Sequence, residues 1–474
     1  MNHETEVRPE GHRPRRSAAS MDADVSLRYR RQARDRQRST GLIDVVTVLL
    51  LVIPVGMWLA QGGVTGLTSV AGFLREVGVV TGLVATSMIC VMLLLAARIP
   101  FVDHAIGHDR ALLRHRRLSS AAVALLVVHA LALIISYALS DQVGLGQELA
   151  GLWAVPDVAL AFIGLGMFAL VAGTSAAVVR LRWPHEVWFG VHLMSYGAVL
   201  VSLPHQFSVG GFFAAGPSRW YWAAMFTLSF GALLAHRVFA PMFASLDHRL
   251  RVVRVERIAA DTVNIYLTGR DVAGLGAHAG QFFALRFLAP GLWWHAHPFS
   301  TSAEITDDTL RFTVRALGDG TTALQRVRPG TRVAFQGPYG VFSDTARTRD
   351  GIVLIGTGIG IAPIRALLES THMVPGRALV VLRAGSLDEC FLLDEIQELC
   401  WRKGAQLEVL IGHRDSRGGW APREYPCSVR DLAPWVDDAD VFVCGPGQHT
   451  ARVVADLRSC GVPTNQIHDE RFSL

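Results

Sequence analysis

Lysine is almost missing from this chain. Of its 45 basic residues 44 are arginine, and Lys403 stands alone. Charge of any kind is scarce, at 18% of 474 residues, where a soluble domain carries about a quarter. Hydrophobic residues make up 51%, and the mean hydropathy is +0.32. A purely soluble protein is therefore excluded, and so is disorder for the bulk of the chain. The net charge is +5, but no Arg/Lys stripe interleaved with aromatics marks a nucleic-acid binder. The six cysteines, Cys90, Cys390, Cys400, Cys427, Cys444 and Cys460, form no C-x-x-C. The plant-type iron–sulfur run C-x4-C-x2-C is absent too. Five of the six lie in the polar second half, as reduced thiols of a cytosolic domain do. There is no EF-hand loop. Residues 1–40 lack any apolar run and carry ten Arg, too long a basic lead for a signal peptide. They read as a disordered cytosolic tail, suited to anionic lipid.

What is present begins at Gly41. Six apolar runs follow: Leu42–Ala60, Val77–Ala97, Leu112–Leu139, Asp157–Val179, Val187–Leu203 and Trp220–Ala240. Each approaches or exceeds the ~20 residues that cross a bilayer. Trp58, Trp153, Trp183, Trp188, Trp220 and Trp222 sit near their ends, as interfacial aromatics do. The second loop holds Arg98, Arg110, Arg114, Arg116 and Arg117, the fourth Arg180 and Arg182. The first, third and fifth loops hold only Arg75 and Arg219, with acids such as Glu76, Asp141 and Glu148. The positive-inside rule then places both termini in the cytoplasm of a multi-pass cell-membrane protein.

Past Pro241 short β-like runs alternate with Gly/Pro turns: Arg251–Val255, Val263–Leu267, Phe282–Phe287, Leu310–Val314 and Arg332–Gln336. From about 350, strands at Gly351–Ile355, Leu379–Arg383, Leu407–Ile411 and Val441–Cys444 alternate with helical stretches. That pattern predicts a parallel sheet. The expected organisation is a tail (1–40), an all-α six-helix bundle (41–240), an antiparallel β-barrel (247–345) and an α/β domain (346–474).

Four histidines lie inside the apolar runs. His115 and His129 are 14 apart on the third, and His192 and His205 are 13 apart on the fifth. Ionisable groups at that depth are rare and usually functional. Each pair spans about 20 Å of helix. Fourteen residues return to within about 40° of the starting direction. Thirteen land about 140° away, and Pro204 can supply the irregularity that corrects it. Two such helices can hold two stacked haems, each between two imidazoles, which suits electron transfer. Both runs travel outward, so His115 faces His192 and His129 faces His205. His185 and His236 lie at membrane ends, and His104 and His108 in a cytosolic loop.

The two pairs resemble those of the NADPH oxidase and ferric reductase transmembrane family, whose third and fifth helices use the same spacings. The second half resembles ferredoxin–NADP reductases, which that family carries at its C-terminus. The resemblance covers about 40–474. It implies a six-helix haem domain, an FAD-binding barrel and an NAD(P)-binding α/β domain. His297-Pro298-Phe299-Ser300 resembles the flavin-binding H-P-F-[ST], after Gly280-Gln281-Phe282. By that likeness Ser300 bonds the flavin near N5 and Phe299 packs on it. Arg315, Gly318, Thr321 and Thr322 look like a pyrophosphate clamp, with a guanidinium and approachable backbone N–H groups. Gly337-Pro338-Tyr339-Gly340 closes that segment.

Gly356-Thr357-Gly358-Ile359-Gly360-Ile361-Ala362-Pro363 follows a strand, and Pro363 suits a first helical turn. Small residues let a pyrophosphate reach the helix N-terminus. The motif resembles the reductase version, G-x-G-x-G-x-A-P. The next strand ends at Arg383 and Ser386, which favours NADPH through its 2′-phosphate; Asp388 and Glu389 nearby keep NADH open. Cys444-Gly445-Pro446 is similar to the family's C-G-P, where the thiol lies by the nicotinamide. Near the C-terminus, Glu470 and Phe472 match an acidic residue and an aromatic beside the flavin.

The implied activity is transmembrane oxidoreduction. Electrons pass from cytosolic NADPH, or NADH, through FAD and two b-type haems (His115/His192, His129/His205) to an outer acceptor, oxygen or ferric iron. Two alternatives stay open. One is a haem-free, membrane-anchored flavin reductase serving a cytosolic partner. The other is a redox-sensing transporter.

Overall fold

The computed structural model describes residues 18–65, 67–181, 185–209, 215–306, 308–413 and 419–472. They form two compact units: Arg38–Phe243, and the segment up to Gln37 with Ala244–Leu474.

The first unit is helical: α1 (Ala18–Ala60), α2 (Val70–Ala96), α3 (Pro100–Ile106), α4 (His108–Asp141), α5 (Leu145–Ala154), α6 (Pro156–Leu181), α7 (His185–Ser208), α8 (Gly216–Leu234) and α9 (Ala240–His248). Six stretches are long and apolar enough to cross a membrane: Arg34–Ala60, Val70–Ala96, Arg110–Asp141, Pro156–Ala176, Val187–Ser208 and Gly216–His248. Each apolar run read from the sequence falls on one of them. Helices satisfy their own backbone groups, which a bilayer requires. Hydroxyls within them bond back one turn, Thr81 to Val77, Ser87 to Leu83 and Ser202 to Ala198. Small residues set the closest packing. A Cβ on Gly78 would lie 2.7 Å from the Leu133 side chain, so α2 and α4 meet there without one.

Two boundaries differ from expectation. Residues 1–17 of the tail lie outside the described residues, but Ala18–Thr40 is not disordered: it is helix, continuous with the first span. No Gly or Pro interrupts that stretch, and Arg, Ala and Gln are good helix formers. At the other end the helix does not stop near Pro241. A π-helical turn at Ala235–Phe239 precedes it, and α9 runs on to His248. The wider turn relieves the ring clash and missing donor that proline brings to a regular helix.

The second unit holds two layers of sheet. Strands β1 (Arg251–Ala259), β2 (Thr262–Thr268), β3 (Phe282–Phe287), β4 (His297–Ser300), β5 (Thr309–Arg315) and β6 (Val333–Tyr339) pair antiparallel as β1-β2-β5 and β4-β3-β6. Bridges Arg251↔Arg332 and Thr301↔Phe312 join the two sheets around one core. The rings of Phe283, Phe312 and Phe335 meet edge to face within it. The short helix α10 (Asp319–Leu324) follows β5.

Then come β7 (Gly351–Thr357), α11 (Ile361–Ser370), β8 (Ala378–Ala384), α12 (Leu393–Lys403), β9 (Gln406–Ile411), α13 (Val429–Leu432), β10 (Ala439–Pro446), α14 (Gly447–Ser459) and β11 (Ile467–Phe472). The sheet is parallel, in the order β11-β10-β7-β8-β9. Apart from Thr357 and Arg383 at their ends, β7 and β8 are apolar and buried, as a sheet covered on both faces demands. The chain reverses its direction of travel between β7 and β10, and ligands of such sheets bind at the carboxyl ends of the strands flanking that point. The unit thus combines antiparallel sheets with a parallel α/β domain, as the sequence predicts.

Candidate functional site

In the helical unit α4 brings His115 and His129 to one side, and α7 brings His192 and His205. The rings of His115 and His192 have centroids 6.3 Å apart. Trp188 packs 5.2 Å from His192. His129 and His205 line one cavity of about 590 Å³ with Leu83, Val199 and Phe226, and its rim includes Trp58, Arg75 and Glu76. His115 thus lies beside His192, and His129 and His205 share one cavity. α7 continues as helix through Pro204 to Ser208.

Two of the rings have an assigned tautomer. His115 Nδ1 lies 3.1 Å from the Met92 carbonyl, and His129 Nδ1 lies 2.7 Å from that of Gly78. A carbonyl only accepts, so each Nδ1 carries the proton and each Nε2 keeps its lone pair. That is how metal-ligating imidazoles are held. A Cβ on Gly82 would lie 2.6 Å from His129 Nδ1. Among the described residues no three His, Cys, Asp or Glu side chains converge as a metal site; the histidines come in twos.

In the second unit β4 places Ser300, buried, with its hydroxyl donating to Glu470 Oε1 at 3.5 Å. β11 lies beside β10 in a register that sets Glu470 against Cys444 and Phe472 against Pro446. Four residues from three distant segments, Ser300, Cys444, Glu470 and Phe472, therefore share one neighbourhood. Burial, with the Glu470 and Asp469 carboxylates nearby, holds the Cys444 thiol well above its ordinary range, so it stays protonated. The rings of His297 and Phe299 stack at 5.9 Å. A Cβ on Gly320 would lie 2.6 Å from His297 Cε1, so α10 reaches the H-P-F-S strand only through glycine.

β7 leads into a tight turn at Gly358–Gly360, with Gly358 left-handed (φ +56°), and then into α11. A Cβ on Gly360 would overlap the Cys444 carbonyl. A Cβ on Gly445 would lie 3.1 Å from the Thr357 Cβ. The nucleotide-type motif and Cys444-Gly445-Pro446 thus close on each other across β7 and β10. The Thr357 hydroxyl there is buried, with no hydrogen-bond partner among the described residues. Pro363 sits in the buried first turn of α11.

Three expected ligands are engaged elsewhere. Arg383 does not face an open phosphate site: it is 4% exposed and donates to the carbonyls of Ala384, Leu410 and His413. The ends of β8 and β9 present those carbonyls together, and a buried guanidinium satisfies them. Ser386 is exposed beside it. Arg315 is clasped by Asp261 at 2.7 Å and approaches Glu389 at 3.7 Å. The same bond holds the Asp261 carboxyl below its usual range. The Thr321 hydroxyl accepts from the N–H groups of Leu317 and Gly318, closing its own turn, while Thr322 is exposed. Sequence reasoning also missed an ionic bridge between the β-barrel and the α/β domain. Glu395 accepts from Arg311 at 2.9 Å and forms an ion pair with Arg365 at 2.8 Å, both arginines nearly buried. Only long-range pairing reveals it.

Residues 81–203 match the family model described as ferric reductase like transmembrane component, and residues 248–343 match an FAD-binding domain. The ferredoxin reductase component of 3-ketosteroid-9-alpha-monooxygenase from Mycobacterium tuberculosis is 29% identical over 198 residues, 41% of this chain and 54% of that protein. The chain thus spans about half the length of that curated relative. The putative respiratory burst oxidase homolog protein H of Arabidopsis thaliana is 23% identical over 42% of this chain and 27% of its own. A crystal structure of the flavohem-like FAD/NAD binding domain of nitric oxide dioxygenase from Vibrio cholerae O1 biovar El Tor aligns with TM-score 0.40 and 22% identity. It covers 48% of this chain and 99% of that one. The chain thus joins a ferric-reductase-like segment, set among six helices long and apolar enough to cross a membrane, to a segment that matches an FAD-binding domain.

Proposed function

We propose that this protein carries electrons from cytosolic NAD(P)H through FAD and two bis-histidine haems to an acceptor outside the membrane. The observation that carries the reading is the His115–His192 separation of 6.3 Å. A metal held between these two rings would bond each imidazole at about 2 Å, which this separation would accommodate. Two imidazoles supply only two ligands, which suits a metal that brings its remaining ligands with it in a ring. That donor set fits haem. The fixed tautomers of His115 and His129 support it, since each presents an unprotonated Nε2. The cavity at His129 and His205, about 590 Å³, is of the size a macrocycle needs.

The reductase module would hold FAD, which would supply the exchange between a two-electron hydride donor and one-electron acceptors. The chain's own residues position and shield. Ser300 and Glu470 put a hydroxyl and a carboxylate side by side where H-P-F-S meets the last strand. The neutral Cys444 offers bulk without charge beside a nicotinamide. Gly360 and Gly445 let the two loops close, and Thr357 turns an unpartnered hydroxyl into that crevice. With Arg383 occupied by carbonyls, NADPH and NADH are both admitted by this reading. Outward transfer is downhill by about 2.3 kcal/mol per 100 mV across an inside-negative membrane. The acceptor is dioxygen, giving superoxide, or ferric iron.

The test is a reduced-minus-oxidised absorption spectrum of the purified, cofactor-supplied protein under anaerobic conditions, with NADPH as sole reductant. A bis-histidine b-type spectrum is expected, followed by reoxidation on adding oxygen or a ferric chelate. Flavin bleaching with no haem signal overturns the reading.

A further inference from the structure

Tyr29, within the N-terminal helix α1, sits in a socket on the reductase module. Tyr29 is 2% exposed. Its hydroxyl donates to the Asp344 carboxylate at 3.1 and 3.3 Å and accepts from Arg347 Nη1 at 3.1 Å. The Arg347 guanidinium lies over the Tyr29 ring, 4.7 Å from its centre. Arg347, 1% exposed, also donates to the carbonyls of His372 and Asp350. Asp344 and Arg347 pair with each other at 3.3 Å. A buried cation, a carboxylate and a tyrosine each satisfy the others, more than 300 residues apart in sequence.

The socket sits on the linker between the β-barrel and the α/β domain. That linker is fastened on both sides. The Gln281 side chain donates to the Gly340 carbonyl of the barrel. Phe342 packs edge-on against Phe442 in the α/β core, and the backbone of Thr348 and Arg349 donates to Asp440. Tyr29 adds a third attachment, from a helix that continues without a break into the first membrane span.

We propose that Tyr29 is the plug of an intramolecular strap: helix α1 docks through it into the Asp344–Arg347 socket and so ties the flavin–nucleotide module to the first span. A module held at one place delivers electrons at high effective concentration, whereas a module tethered once roams. Tyr29 is a positioning residue and touches no cofactor. The inference deepens the proposed electron route and, for its kinetic half, rests on it.

The experiment uses the full chain in lipid nanodiscs, comparing wild type, Tyr29→Ala, Tyr29→Phe and Asp344→Ala. Hydrogen exchange reads the docking directly. Tyr29→Ala is expected to speed exchange at 343–350 at least tenfold, and Tyr29→Phe less. Asp344→Ala is expected to speed exchange around Tyr29 reciprocally. Stopped flow with NADPH reads the consequence. Flavin bleaching is expected within twofold of wild type, with haem reduction at least fivefold slower in Tyr29→Ala. Unchanged exchange in Tyr29→Ala overturns the strap, and so does equal slowing of both steps. A wild type without haem signal overturns the proposed function instead, and the exchange arm still decides the strap.

Discussion

Gly82 owes its identity to the ring beside it. A Cβ there would lie 2.6 Å from His129 Nδ1, and the same nitrogen donates to Gly78 one turn away. Gly82→Val should push the imidazole off its carbonyl and release the ligand at that site alone. The expected outcome is a fall from two haems to one per chain, with flavin content unchanged, by haem extraction against flavin fluorescence. Retention of both haems would show that the His129 ring has room this geometry denies it. At this scale the sequence was uneven to read. The four histidines stand out in the sequence because helical spacing is local arithmetic, and a His in an apolar run is conspicuous. Arg383 was harder to place: its type and position suited a phosphate, but it donates to the carbonyls of Leu410, on β9, and His413, just past it. Tyr29 carried no signal, since its partners are over 300 residues on.

Elements were legible where apolar pattern decided them. The six spans and the central strands β7 and β8 are continuous apolar runs, and burial on all sides leaves such runs few alternatives. β11, Ile467-His468-Asp469-Glu470-Arg471-Phe472, is mostly polar and pairs only with β10 at the sheet edge. Its strand character comes from that neighbour. The helical tail was missed for a related reason: high charge suggested disorder, while the adjoining span supplies the helix nucleus that charge alone lacks. The turn from β7 to α11 shows how tightly one element can constrain another. Gly360 faces the Cys444 backbone of β10, which cannot swing aside as a side chain can. Gly360→Ala should therefore cost about 1–3 kcal/mol by overpacking. It should also raise KM for NADPH at least tenfold, because the crevice opens where the nucleotide enters. Thermal unfolding and steady-state dye reduction measure the two, and a variant matching wild type in both would remove Gly360 from the site.

At the scale of the molecule, the loops decide which side feeds the chain. Arg98, Arg110, Arg114, Arg116 and Arg117 cluster between the second and third spans, while the loop after the third span carries Asp141 and Glu148. Positive loops stay in the cytosol, and the reductase module follows the last span without a further crossing in the described residues. NADPH should then be consumed only from the cytosolic face. Inside-out membrane vesicles are expected to oxidise added NADPH at once. Right-side-out vesicles should show under a tenth of that rate until detergent opens them, because the nucleotide is charged and does not cross lipid. The membrane potential adds a second reading of the same orientation. Outward electron flow is favoured by about 2.3 kcal/mol per 100 mV, so collapsing an inside-negative potential should slow acceptor reduction and leave flavin bleaching untouched. If intact right-side-out vesicles turn over added NADPH, the arginine-rich loops face outward and the electron path runs the other way.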